Sequence, residues 1–453
     1  MSEQPALKRV MGPGLLLVFI VGDVLGTGIY ALTGKVAAEV GGVVWLTFLL
    51  AFAVAMLTAA SYLELVTKYP SAGGAASYAH RAFRLRILTF LVTVAVMASG
   101  LTSAASASLA FASNLARALG LDQLSGTWAL AAIALAFIAA VAAVNLRGVS
   151  ESVWLNVVLT CIEVSGLLLV IVIGSWAITQ GQGDLTRLTQ IETAEGRSPA
   201  QSITAATALA FFVFVGFEDS VNMAEETKDP VRVFPRIMFA GLAITGIIYL
   251  AVVVVSVAVV APADLGVGDT PLLTVVSVGA PSFPLWIFAL ITVAAVANSA
   301  LINMLMASRL LYGMANEGVL PSALGKVLPG RLTPWVAILA TTVLAAGLIL
   351  VADLAALGGT TSLLLLAVFA VTNCAVLVLR RQPVAHRHFR VPTIVPVLGL
   401  ASCVFLMSPL SGRPAADYQL AAILLLLGAG LWLVQAVLSS RSRRRRGERS
   451  LGR

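Results

Sequence analysis

The chain has 453 residues, of which 59% are hydrophobic and 11% charged, with a formal net charge of +8 and a mean hydropathy of +0.98. That composition excludes a soluble globular domain and describes an integral membrane protein throughout. The basic excess is distributed loop by loop, which makes it an orientation signal and excludes a nucleic-acid-binding surface. Apolar stretches long enough to cross a hydrocarbon core about 30 Å thick, at about 20 residues each, fall at 14–38, 43–66, 87–112, 127–145, 152–178, 203–224, 237–260, 283–308, 335–352, 360–379, 393–410 and 419–438. They predict an all-α membrane protein of twelve spans.

The positive residues sort to one side. Lys8 and Arg9, Lys68, Arg81, Arg84 and Arg86, Arg147, Lys228, Arg232 and Arg236, Lys326 and Arg331, Arg380, Arg381, Arg387 and Arg390, and the seven arginines from Arg441 to Arg453 occupy the ends and alternate connections. The other side has Lys35, Arg117, Arg187, Arg197 and Arg413, and Arg309 lies near the inner end of the eighth span. By the positive-inside rule both termini are cytoplasmic, with residues 1–12 an N-terminal segment and 439–453 a basic tail that can also lie on anionic headgroups. The first apolar run follows Lys8-Arg9 as a signal peptide would, but it is long and Gly-interrupted, and a whole membrane domain follows it.

Within the first span stands Gly26-Thr27-Gly28, and the sixth carries an answering Val215-Gly216-Phe217-Glu218. A spanning helix satisfies its own amides, so a Gly-rich interruption at bilayer depth is tolerable only where it lines a cavity or binds something. Two such breaks in corresponding halves point to the substrate site of a transporter. Small residues dominate the third span at Ala104-Ala105-Ser106-Ala107-Ser108 and the eighth from Ala294 to Ala300, where they let helices approach closely. Cys161, Cys374 and Cys403 all fall in spans and read as small apolar residues, not as a disulfide or metal set.

No linker divides the chain, so 1–453 reads as a single polytopic domain. Spans 1–5 and 6–10 each begin with a broken helix, which predicts an inverted repeat of five plus five, with 13–178 as one half and 202–380 as the other. Spans 11 and 12, at 393–438, are additions, and the external loop near 179–201 forms a short surface cap.

Four stretches together resemble the amino acid, polyamine and organocation (APC) permease superfamily, and most of all its cationic amino acid transporter branch and that branch's bacterial relatives. They are Gly22-Asp23-Val24-Leu25-Gly26-Thr27-Gly28-Ile29-Tyr30; Tyr62-Leu63-Glu64 through Pro70-Ser71-Ala72-Gly73-Gly74; Phe211 to Pro235, with Glu225-Glu226-Thr227-Lys228-Asp229-Pro230; and Ala307-Ser308-Arg309-Leu310-Leu311-Tyr312-Gly313-Met314 with Gly318, Leu320 and Pro321. The resemblance covers roughly 10–380. It implies a LeuT-like fold with discontinuous helices 1 and 6, and secondary active transport of an amino acid through alternating access.

An amino acid brings a carboxylate and an ammonium, and each needs partners once buried. The N–H groups of Thr27 and Gly28, at the N-terminus of the second half of helix 1, are a carboxylate clamp backed by the helix dipole. The glycines at 26 and 28 leave room for that approach. The resemblance assigns the ammonium to the backbone oxygens of Val24, Phe212, Val213 and Val215, and makes Phe212 the aromatic that closes over the ligand. It also implies a carboxylate in helix 3 of cationic transporters, where this chain offers Ser99. A basic substrate would then need Asp23, Glu163 or Glu218 as counter-ion, so the reading leans to a neutral, smallish amino acid.

Asp23, Glu163 and Glu218 fall inside predicted spans, where an unpaired charge costs at least about 2.5 kcal/mol. Glu218 follows the sixth-span break and either holds the unwound segment or relays a proton. Asp23 precedes the first break and either caps freed amides or takes part in coupling. Glu163 departs from the pattern of proton-coupled relatives, which commonly place a Lys there. A buried Glu can carry a proton through neutral pH or ligate a cation with oxygens such as the Ser299 hydroxyl, and proton symport is preferred to sodium. Glu64 reads as a surface i,i+4 pair with Lys68, and Glu225, Glu226, Lys228 and Arg232 as an inner-loop charge network.

Neither metal nor organic cofactor is implied. A membrane enzyme is disfavoured because His80, His386 and His388 lie in basic loops without acid or nucleophile motifs. An exchanger, a polyamine or cationic amino acid transporter, and a non-transporting membrane sensor are the competing readings. Partners are an amino acid and the lipid bilayer, with a monomer or weak homo-oligomer expected. The wealth of Ala, Leu, Val and Arg against few Lys fits a GC-rich bacterium and its cytoplasmic membrane.

Overall fold

The computed structural model describes residues 11–433 apart from 71–73, 122–127, 148–151, 194–195, 222–223, 225–226, 317–319, 329–332 and 431–432. Residues 1–10, the basic tail, Glu225, Glu226 and Gly318 therefore lie outside the described residues. The fold is all helical: α1 Pro13–Val24, α2 Thr27–Val40, α3 Val44–Lys68, α4 Gly74–Phe83, α5 Arg86–Ala118, α6 Trp128–Arg147, α7 Ser152–Thr179, α8 Pro199–Ala210, α9 Phe217–Val221, α10 Pro230–Val259, α11 Pro262–Leu265, α12 Pro271–Gly279, α13 Leu285–Asn316, α14 Trp335–Val351, α15 Leu354–Leu379, α16 Ile394–Met407 and α17 Ala415–Gly430. Among the described residues, nine helical stretches are long and apolar enough to cross a membrane, two of them running through a break at 13–40 and 199–221. The shorter apolar helices α14, α16 and α17 fall on the ninth, eleventh and twelfth of the expected spans.

Two boundaries differ from expectation for physical reasons. The seventh span begins at Pro230, where Asp229 in the left-handed region (φ 48°) and proline at the first helical position start α10 before the hydrocarbon does. The last span begins at Ala415 because Asp417, which a hydropathy reading keeps outside, is buried against Arg413 at 3.0 Å.

α1 stops at Val24, Leu25 leaves the helix at ψ 38°, and Gly26 is extended before α2 starts at Thr27. α8 begins with a capping box, Ser198 with Gln201, and Pro199 at its first turn. It gives way at Phe211–Phe214 to a tight 3-10 turn, an extended Val215, and Gly216 at φ 127°. Aromatic rings hold this irregular stretch. Phe217 lies 5.9 Å from Tyr62 and 5.3 Å from Phe369, and Phe214 lies 5.3 Å from Tyr249.

The broken helices sit in the middle of the bundle. α1 packs on α7 and α10, α2 on α8 and α12, and the long α5 on α13 and α15. Ala104, Ala105 and Ala107 of α5 are fully buried, as close packing by small residues requires. Exposed side chains on α14, α16 and α17, among them Val343, Val351, Val404, Leu426 and Leu427, are apolar, which suits a lipid-facing surface. The three cysteines are free.

The loop after α7 folds over the α2–α3 corner as a cap: Trp45 Nε1 donates to Leu188 O at 2.9 Å and Glu192 N to Val40 O at 3.1 Å. On the opposite face Glu64 does not pair with Lys68. Its carboxylate, 1% exposed, takes two 2.7 Å hydrogen bonds from the guanidinium of Arg380, while Lys68 Nζ donates to Leu379 O. These partners stand 316 and 311 residues away along the chain, beyond the reach of a helical-spacing argument. Beside them, burial lowers the imidazole pKa of His388 from its usual value. Arg232 pairs weakly with Asp229, at 3.7 Å on an exposed surface.

Candidate functional site

The two interruptions meet. A Cβ placed on Gly216 would lie 2.6 Å from Asp23 O and 3.1 Å from Val24 N, and one on Gly28 would lie 2.9 Å from Val213 Cα and 3.1 Å from Phe212 Cδ1. Backbone therefore crosses backbone at both contacts, and glycine is required at each. Beside the crossing lies a cavity lined by α1, α2, α5, the α8–α9 break, α13 and α15.

Asp23, Val24, Gly26, Thr27, Gly28, Ser99, Phe212, Val213, Val215 and Glu218 all line it. Ser299, on α13, lines it too, with its Oγ 3.1 Å from where a Cβ on Gly26 would stand. Glu163 does not. It lies behind α1, 0% exposed, with neither carboxylate oxygen hydrogen-bonded. Its backbone carbonyl receives the Tyr30 hydroxyl at 2.8 Å.

The space is narrow. About 40 Å³ is open to the centres of water molecules, against roughly 10–15 Å³ for a single water, so binding an amino acid requires the lining to spread. On the α2 side Phe212 closes it: this ring packs over Gly28 and reaches within 3.7 Å of a Cβ placed on Gly358. On the other side the lining continues along α13 through Met306, Ala307 and Leu310. That direction leads away from Leu265, which touches α2 at Gly34, and toward the face on which α1 begins.

The backbone groups are partly engaged already. Val24 O accepts the Tyr249 hydroxyl at 2.6 Å, and Phe212 O accepts Val215 N at 3.3 Å. Each carbonyl keeps a second lone pair for a ligand. Thr27, 1% exposed, has no partner for its hydroxyl. Glu218 Oε2 accepts the Gly216 amide at 2.9 Å and so braces the unwound segment. Asp23 does not cap the first break, since its Oδ2 is buried without a partner. The Ser99 hydroxyl turns back to Val96 O at 2.7 Å.

Sequence reasoning missed Asp219, Asn303 and Thr361, which also line the cavity. Asp219 stands directly after Glu218, and that adjacency was the available signal. Asn303 lies one helical turn beyond Ser299 and donates to its carbonyl at 2.9 Å, and Thr361 shares a 2.6 Å hydrogen bond with Thr102 across α5 and α15. Among the described residues no group of His, Cys, Asp and Glu is arranged to hold a metal ion.

Comparison with known proteins gives a consistent result. The family profile described as amino acid permease matches residues 15–429. The chain is 28% identical over 437 residues to a methylthioribose transporter of Bacillus subtilis (strain 168), covering 91% of this chain and 90% of that one. It is 25% identical over 432 residues to the branched-chain amino acid permease BcaP of the same organism, covering 90% and 89%. To cationic amino acid transporter 9, chloroplastic, of Arabidopsis thaliana it is 29% identical over 353 residues, covering 72% of this chain and 60% of the plant protein.

Proposed function

The chain belongs to the amino acid permease family, which is a family of transporters and not of enzymes, and from that premise we propose that it takes up an amino acid by proton-coupled alternating access. The observation that carries this reading is the meeting of two helix breaks at one buried cavity. The amides of Thr27 and Gly28 hold the substrate carboxylate at the positive end of α2. The carbonyls of Val24, Phe212, Val213 and Val215 accept from the ammonium, and Phe212 closes the side toward α2. The architecture proposed is twelve spans, five plus five inverted with the last two outside, in the cytoplasmic membrane with both termini inside.

Glu163 carries the coupling proton. A carboxylate sealed in the bilayer without a hydrogen-bond partner is far cheaper neutral than ionised. Substrate enters the cavity on the other side of Asp23, so binding and protonation meet across α1. The names of the relatives span a thioether sugar, branched-chain and cationic amino acids, and so favour no one side chain for this protein.

Uptake of a labelled amino acid panel into proteoliposomes, with and without a proton or a sodium gradient, tests the proposal. Accumulation driven by the pH gradient is the expected result. Accumulation that follows sodium alone removes the proton coupling, and no uptake or exchange of any amino acid removes the substrate class.

A further inference from the structure

The geometry points to Asp219 as the anchor of a cation subsite in the cavity, which makes the preferred substrate an amino acid with a second positive charge on its side chain. This inference rests on reading the cavity as the substrate site.

The ionisable side chains that line the cavity are all acids. Among its lining residues are three carboxylates, Asp23, Glu218 and Asp219, and no Lys, Arg or His. One carboxylate is committed, since Glu218 Oε2 holds the Gly216 amide. The other two are not. Asp23 Oδ2 is buried without a hydrogen bond, and the side chain of half-buried Asp219 has neither a hydrogen bond nor an ion pair among the described residues.

The remaining polar atoms lean the same way. Asn303 gives one amide hydrogen to Ser299 O and keeps Oδ1 as an acceptor, 3.6 Å from where a Cβ on Gly100 would stand. Ser99 has given its proton to Val96 O and is left with acceptor lone pairs. The donors are the amides of Thr27 and Gly28 and the unpartnered, buried Thr27 hydroxyl. A zwitterion satisfies these donors and brings no net charge to the acids. An ammonium or guanidinium supplies the donors that these acids lack and the charge that lets them ionise in a low-dielectric cavity.

Asp219 lies one position past Glu218 on the first turn of α9, and the amide of Asp219 donates to Gly216 O at 2.9 Å, so its backbone is fixed to the break. A cationic side chain held there reaches helix 6. The absence of an acid from helix 3 therefore does not make the site neutral.

The test uses the purified full-length protein in detergent and two isosteres, L-lysine and L-norleucine, which differ in the terminal ammonium, with binding read by thermal shift. Lysine is expected to act at concentrations at least tenfold below norleucine on the wild type. Asp219→Asn is expected to reduce that ratio to about threefold or less, and Asp219→Glu to keep it. A wild-type ratio below tenfold overturns the inference without any variant, as does an Asp219→Asn protein that keeps the full ratio. Cadaverine, which is lysine without its carboxylate, separates the two readings. If it matches lysine and loses its effect in Asp219→Asn, the carboxylate clamp fails while the Asp219 subsite stands.

Discussion

Gly216→Ala is the most direct challenge to the crossing of the two breaks. Gly216 sits at φ 127°, a conformation that costs an L-residue about 1–3 kcal/mol. The new methyl would also stand 2.6 Å from Asp23 O, about 0.8 Å short of ordinary contact at 3.4 Å. That neighbour is backbone and cannot swing aside, so α1 must retreat or the α8–α9 break must unwind further. Either movement displaces Val24 and Val215 from their places around the ligand. At about 1.4 kcal/mol per factor of ten, the conformational strain alone predicts a loss of affinity between about fivefold and a hundredfold. A melting temperature lower by a few degrees should accompany it. Equilibrium binding of whichever amino acid the panel identifies, alongside thermal unfolding in detergent, reads both quantities. Gly347→Ala on α14 is the control, because nothing lies within 4 Å of its added methyl. If Gly216→Ala binds and melts as the wild type does, the breaks do not constrain each other and the cavity is not built by their crossing.

Glu163→Gln should abolish accumulation driven by a pH gradient while exchange of bound substrate continues; unchanged accumulation in proteoliposomes would refute the coupling role. Arg380→Ala leaves Glu64 buried and unpaired, at a cost of about 3–5 kcal/mol, and pairing it with Glu64→Gln should recover much of the lost thermal stability. A single variant that melts like the wild type would show that the pair contributes nothing. Burial disfavours the protonated form of His388 in the native state. Below about pH 6.5, the ordinary histidine value, the unfolded chain therefore binds a proton that the native state resists, and native stability falls until the pH passes the depressed value. His388→Gln should show a smaller decline in melting temperature between pH 7 and pH 5, and an identical decline would count against the assignment.

The backbone part of the site was legible because glycine at bilayer depth serves close approach or a break and little else, and Gly26, Gly28 and Gly216 each proved to touch or border the crossing. Side chains that depend on rotation were not. Asp219 follows Glu218 so closely that one acid hid the other, and only the turn at Gly216 brings both to one cavity. Asn303 and Thr361 carry no charge and sit in apolar helices where nothing in the local pattern marks them. Glu163 was legible as an intramembrane acid, but its separation from the cavity depends on how α7 packs against α1. The Glu64–Arg380 pair was out of reach of any short-range rule because its partners meet only after the chain closes on itself.

Arg413 ties the corner between the last two helices to the stretch ahead of the sixth-helix break. Its guanidinium, 1% exposed, donates to Gly359 O at 2.6 Å, to Ser362 Oγ at 3.1 Å and to Ala208 O at 3.3 Å, besides pairing with Asp417. Ala208 lies just ahead of the sixth-helix break and Gly359 follows Gly358, against which Phe212 packs. Any movement of α8 would therefore either carry the α16–α17 corner along or strip a buried cation of its carbonyl partners. In the proposed transport cycle, α16 and α17 would therefore move with the stretch that Arg413 holds.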